Sequence, residues 1–257
     1  MTVLTLGGVT LDQAMSAVKA KPSDPLLRAG LFRFFSYTGQ WSRASTQLQT
    51  LATLDAEQAM YASTYMGALK CEQFRADVFA AKRSPLFVGE PAQWMALLLQ
   101  AAQTSGVAAI GLIDSALDQA PATSGRVDGT AFDWIADADN RFGPLLEAFI
   151  DGKYYWVGFD RLTRVDLDAP DEAIDRVWQP CQFVFASGGS KSGFIPIRYP
   201  GSPGDTDPSI VMGSTVRSEA LGPDYEMLAG GRLLNTNVAS YPLVQIRSIE
   251  LDSVVTA

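Results

Sequence analysis

The sequence contains no histidine. That excludes a Ser-His-Asp or Cys-His pair and a histidine-bearing zinc site, and it removes the usual general base near neutral pH. Cysteine is nearly as scarce: Cys71 and Cys181 lie far apart in apolar contexts, which fits two buried reduced thiols better than a disulfide. No apolar stretch approaches the ~20 residues that a membrane span needs. The N-terminal run MTVLTLGGVTLDQ has no basic region followed by an apolar one, so no signal peptide is read there and a cytoplasmic location is expected. Positive charge is also short, with 20 Lys and Arg against 28 Asp and Glu. The deficit belongs to the second half: residues 1–120 carry nine basic and nine acidic side chains, the remainder eleven and nineteen. Nucleic-acid binding would want the reverse.

What is present is enough apolar material, 47% of 257 residues, to bury two modest cores. A helix stop followed by small polar residues, Ala120-Pro121-Ala122-Thr123-Ser124-Gly125, places the boundary between a helical domain of residues 1–121 and a mainly β domain of residues 122–257. The predicted fold class is α+β, with an N-terminal tetratricopeptide-like α-superhelix followed by a mainly antiparallel β domain.

The superhelix is read from one repeat. Leu31 and Phe35 share a helical face, Gly39 breaks the helix, Trp41 and Ala44 open a second one, Leu48 and Leu51 continue its apolar stripe, and Asp55 ends it. That is the tetratricopeptide register, in which a small residue such as Ala44 lets two helices approach and Trp41 is buried between them. Before it, Leu11, Ala14, Met15 and Val18 recur at helical spacing, and Asp24 with Pro25 reads as an N-cap and first helical position. After it comes a long helical segment over residues 56–82. A last helix pair follows, carrying Trp94, Leu97 and Leu98, then Ala109, Ile113 and Ala116.

Beyond Gly125 the strand signals dominate. Val127-Asp128-Gly129-Thr130 reads as a hairpin turn, residues 153–159 and 162–167 as two paired strands, and residues 182–186 as a strand facing 193–199 across a Gly/Ser turn. Residues 243–251 alternate and predict a closing strand, while residues 144–150 read as an amphipathic helix.

Several patterns invite a sharper reading. Ser187-Gly188-Gly189-Ser190-Lys191-Ser192-Gly193 looks phosphate-binding, but Ser190 stands where a P-loop needs Gly and no helix follows, so a hairpin turn is the better account. Asp133, Asp137 and Asp139 flank Trp134 at a spacing that suits a hard cation, but Arg141 replaces the next oxygen ligand. A network of these aspartates with Arg141 that fixes a turn is therefore expected, with no metal and no cofactor. Tyr154-Tyr155-Trp156 reads as strand packing. Arg28, Arg33 and Tyr37 fall between apolar positions of the first repeat, with Arg75 and Arg83 at the rim of a possible peptide groove.

Gln40-Trp41-Ser42-Arg43-Ala44, Ala68-Leu69-Lys70-Cys71-Glu72 and Gly89-Glu90-Pro91 resemble segments of the ImpE family, also called TagJ. The resemblance sharpens at Phe132-Asp133-Trp134-Ile135-Ala136-Asp137-Ala138-Asp139-Asn140-Arg141-Phe142-Gly143-Pro144 and at Gly152-Lys153-Tyr154-Tyr155-Trp156-Val157. It continues through Ile195-Pro196-Ile197-Arg198-Tyr199-Pro200-Gly201-Ser202. Ala229-Gly230-Gly231-Arg232-Leu233-Leu234-Asn235 departs from the family pattern, which more usually has Gln before its Arg and Asp at its end. The resemblance implies a non-enzymatic, cytoplasmic accessory component of a bacterial type VI secretion system. It would be an adaptor that binds the small sheath subunit TssB and, through it, bears on sheath recycling by the ClpV ATPase. Two other readings stand beside it: an adaptor of the same build for another client, and a metal-dependent hydrolase using Asp133, Asp137 and Asp139.

Overall fold

The structure is a computed structural model that describes residues 4–104, 106–222 and 224–253; residues 1–3 of the N-terminal run read above lie outside the described residues. A hairpin of β1 (Thr5–Leu6) and β2 (Val9–Thr10) leads into α1 (Leu11–Ala20), where Thr10 and Gln13 form a capping box. Asp24 caps α2 (Pro25–Tyr37) by accepting from the backbone N–H groups of Leu26 and Leu27, and Pro25 occupies the first turn, where its missing N–H costs nothing. Such a cap contributes about 1 kcal/mol. Gly39, at φ +65°, turns the chain into α3 (Trp41–Leu54), and Ala44, Leu48 and Leu51 are buried on its inner face. The 21-residue α4 (Ala59–Phe79) follows, then β3 (Leu86–Phe87), α5 (Gln93–Ala102) and α6 (Val107–Leu117).

From Gly125 strands take over: β4 (Gly125–Val127), β5 (Thr130–Phe132), β6 (Ile135–Asp137), β7 (Leu145–Ile150), β8 (Lys153–Gly158), β9 (Leu162–Leu167), β10 (Trp178–Phe185) and β11 (Ser190–Pro196). The one-turn helix α7 (Pro208–Val211) separates these from β12 (Val216–Gly222), β13 (Tyr225–Gly230), β14 (Leu233–Thr236), β15 (Ser240–Pro242) and β16 (Ser248–Leu251). The fold is α+β, helical toward the N-terminus and β-rich toward the C-terminus. The main sheet has nine strands in the order β3-β8-β7-β11-β10-β9-β16-β4-β5, antiparallel except where β3 from the helical region joins β8 in parallel. A second sheet, β15-β14-β6, and a separate β12-β13 ribbon complete it.

The main sheet is covered on both faces. Phe149, Tyr154, Trp156 and Trp178 point to the helices and share one core with Tyr65, Leu69, Val78 and Leu98. Leu146, Ala148, Val157, Phe183 and Ile195 point the other way and pack with Leu234, Leu243 and Ile249. This double covering corrects the helix expected over residues 144–150, which is the strand β7 with all six residues buried. A strand enclosed on both faces loses the alternation of polar and apolar residues, and its single charge, Glu147, imitates a helical wheel.

Other expectations are met or corrected by register. Asp128 and Gly129, at φ +47° and +83°, form the tight turn between β4 and β5. β10 and β11 pair across the Gly188-Gly189 turn, with Phe183 opposite Lys191, so Lys191 stands on a strand. β8 and β9 do not pair with each other: a 3-10 turn at Phe159–Arg161 sends β9 to β10 and β16, while β8 lies on β7. The closing strand is shorter than expected, because Leu243–Gln245 is a 3-10 turn. Trp41 is half-buried at the start of α3, its ring 6.1 Å from that of Trp178 on β10 and tilted by 37° to it, so the expected burial between helices is replaced by an aromatic contact toward the sheet.

Candidate functional site

The helical region is bolted to the sheet by a buried ionic network. α4 brings Glu72 and Arg75 to the sheet face, where β7 presents Glu147. The Arg75 guanidinium donates to both Glu147 oxygens, Nε to Oε1 at 2.6 Å and Nη2 to Oε2 at 2.5 Å. It also donates to Glu72 Oε2 at 3.4 Å and to the Arg198 carbonyl at 2.9 Å. Glu72 Oε1 accepts from Trp178 Nε1 at 2.9 Å. Tyr154 donates to Glu147 and itself accepts from Trp156 Nε1. From the far side, the fully enclosed Arg232 bridges Glu147 and Asp137 while lying between the rings of Phe142 and Tyr199. Asp137 Oδ1 also accepts from Tyr199 at 2.8 Å and from the Asp139 backbone N–H at 2.9 Å.

Burial disfavours the charged form of both Asp137 and Glu147, and the number of arginines decides which of the two escapes. Around Glu147 the paired Arg75 and Arg232 outweigh burial and hold its carboxyl below the usual range. Around Asp137 burial prevails over the single Arg232, aided by neighbouring Asp139, and the carboxyl is pushed up to about 6. Arg198 meets no carboxylate among the described residues: it donates to the carbonyls of Tyr37, Val211 and Ser36, and burial lowers it to about 10.

The residues expected at a cationic groove are not assembled into one. Arg75 is only 3% exposed and belongs to the network, which corrects its expected place at a rim. Tyr37 is buried and donates to the Ala173 carbonyl, so it is likewise withdrawn from any groove. Arg28 donates to Gln47 and to the Pro22 carbonyl, and Arg33 pairs with Glu172 of the β-rich region. Arg83 is exposed beside Asp77 and above the Phe74 ring.

The aspartate cluster also divides. Asp133 is exposed and accepts from Asn237, and Trp134 beside it is 41% exposed. Asp139 is enclosed and takes Arg141 in a two-point pair, Nε to Oδ1 at 2.9 Å and Nη2 to Oδ2 at 2.5 Å, together with the Leu228 backbone N–H. The expected network with Arg141 is thus made by Asp139, whereas Asp137 turns to Arg232. Among the described residues no three His, Cys, Asp or Glu side chains gather as a metal would need. Glu147, Arg198 and Arg232 were missed as a group; the one available signal for Glu147 was a single charge inside an apolar run. Cys71 and Cys181 are both buried and unbridged, and burial pushes the Cys71 thiol up to about 12.

A cleft of about 760 Å³ lies between α4 and the helix-side face of β9, β10 and β11, and a smaller hollow of about 290 Å³ is lined by Glu72 and Arg75 of the network together with Trp41 and Phe79. Phe149, Phe194 and Pro180 line the larger cleft, and Asp151, Asp166 and Asp168 stand in its walls.

The ImpE protein family model matches residues 129–250. Over 250 residues the chain is 36% identical to the type VI secretion system accessory component TagJ of Pseudomonas aeruginosa, covering 94% of this chain and 88% of that one. The chain belongs to the ImpE family. Protein VPA1032 from Vibrio parahaemolyticus, solved by crystallography, shares the fold at a TM-score of 0.85 and 21% identity, over 94% of this chain and 92% of that one. In this ImpE-family chain the network draws on both sides of the family match: Asp137, Glu147, Arg198 and Arg232 lie inside residues 129–250, Glu72 and Arg75 outside. Among the described residues no helix is long and apolar enough to cross a membrane.

Proposed function

We propose that this ImpE-family chain is a non-enzymatic, cytoplasmic adaptor of a bacterial type VI secretion system. It binds the small sheath subunit TssB and influences sheath recycling by the ClpV ATPase through that contact. The observation that carries this reading is the match, along nearly the whole chain, to a relative named as an accessory component of such a system. The ionic network favours binding over chemistry: Glu147, Asp137 and Asp139 are enclosed and each faces an arginine, an arrangement that holds elements together rather than a substrate. A tetratricopeptide-like stack in residues 1–121, set on a β-rich unit of residues 122–257, belongs to the same proposal. It is supported by α2 lying against α3, α3 against α4 and α5 against α6.

Co-purification with TssB, followed by calorimetric titration with its N-terminal segment, tests the reading. A saturable complex is the expected outcome. Failure to retain TssB, with capture of a different secretion component, would assign the adaptor another client.

A further inference from the structure

The cleft between α4 and the sheet is lined by charge of one sign. Three carboxylates, Asp151, Asp166 and Asp168, line it and no Lys or Arg does. Asp151 is answered from outside by Lys191 at 2.9 Å and Asp166 by Arg164 at 2.8 Å. Asp168 is different: its backbone N–H and carbonyl are engaged by Pro180 and Gln179, yet its exposed carboxylate meets no cation among the described residues.

Beside these charges the walls are apolar. The half-buried Phe194 and Pro180 face the opening over the buried Phe149, and α4 offers only the small Ser63, Thr64, Gly67 and Ala68. A second hollow of about 420 Å³ between α3 and α4 shares Ser63, Gly67, Asp151 and Gly152 with the first and is lined by the exposed Lys70, so the unbroken negative lining belongs to the first hollow alone. At that joint α4 lies against the β7–β8 turn: a Cβ on Gly67 would stand 3.4 Å from the Gly152 Cα, an ordinary van der Waals contact. With these residues in common, the two hollows give room for several side chains of one extended segment.

We propose that this cleft is the docking groove for a segment of a partner protein that carries Lys or Arg beside apolar side chains. Its cations answer Asp168 and the flanking Asp151 and Asp166, and its apolar side chains cover the half-buried Phe194 and Pro180. The polarity is opposite to that of an arginine-rimmed groove on the helices. It also explains how an accessory protein with a net charge of −8 selects a partner by electrostatic complementarity. The proposal rests on the adaptor reading for its purpose, but its geometry stands without TssB.

The test uses the full chain and a fluorescent peptide of alternating Lys and Leu as probe, read by anisotropy at low and high salt. Wild type should bind it, more weakly as salt rises. Asp168→Lys, and Ser63→Arg on the opposite wall, should each weaken binding on the order of tenfold, while the same charge change at exposed Glu90, Glu90→Lys, should leave it within about twofold. All three sites are exposed, so folding is preserved and circular dichroism verifies it. No binding by wild type, or equal loss in all three variants, overturns the groove. A parallel TssB pull-down separates the two readings. Wild type that retains TssB while Asp168→Lys changes neither TssB nor probe binding removes the groove and spares the adaptor. Wild type that loses TssB but shows the Asp168→Lys effect on the probe keeps the groove and removes TssB as its client.

Discussion

Arg75 on α4 and Glu147 on β7, 72 positions apart in the chain, meet as a fully enclosed two-point ion pair. The pair fixes which turn of α4 lies over which residue of the central strand, because a planar guanidinium and a planar carboxylate match in only one orientation. Its worth is in register rather than in net stability, since well-packed apolar groups of the same shape would do as well energetically.

Removing one half of that pair should be costly. Arg75→Ala leaves Glu147 buried with only Arg232 as counter-charge, and a loss of about 3–5 kcal/mol is expected. Denaturant unfolding of wild type and variant measures it directly. A variant within 1 kcal/mol of wild type would contradict the enclosed geometry.

Asp137 gives a pH signature of definite sign. Its folded value of about 6 lies above the 3.8 of a free carboxyl, so between those two values the folded state binds the proton more readily than the unfolded state. This group therefore favours folding increasingly as pH falls through that window, and withdraws that support as pH rises toward 7. Asp137→Asn removes the effect. The stability difference, wild type minus variant, should grow by about 2–3 kcal/mol from pH 7 to pH 4. A constant or shrinking difference would reverse the assignment. Glu147, lowered in the fold, works in the opposite direction only at more acidic pH, below the usual carboxylate range.

Trp41 is half-buried against Trp178, so Trp41→Ala removes an aromatic contact without emptying a sealed cavity. A loss of about 1–3 kcal/mol follows, less than the ~3–5 kcal/mol of a fully buried tryptophan. Thermal unfolding of Trp41→Ala beside Trp178→Ala, whose residue is fully buried, ranks the two.

Calcium or magnesium should leave the melting temperature unchanged. Both Asp139 oxygens are taken by Arg141 and backbone N–H groups, and Asp137 is held by Arg232 and Tyr199. A metal-dependent rise in wild type would show that a cation displaces these arginines.

The legible parts of the sequence were those whose cause is local. The Asp24-Pro25 start of α2, the Gly39 break, the Ala44, Leu48 and Leu51 stripe and the Asp128-Gly129 turn each depend on residues within a few positions of one another. Periodicity and cap chemistry therefore suffice to place them. The segment around Asp139 and Arg141 was likewise visible, two residues apart.

What the tertiary structure decided was the partner of every charge whose partner is distant. Nothing near Glu147 announces Arg75 or Arg232, and nothing near Arg75 distinguishes a buried helix face from a solvated one. Sheet order has the same character: β8 and β9 are consecutive and strand-like, but a 3-10 turn and burial on two faces send them to different neighbours. Local sequence determined the elements because backbone preferences and caps act within a turn or two. The ionic network, the β7 strand and the acidic cleft were set by which faces meet, and that depends on burying the whole chain at once.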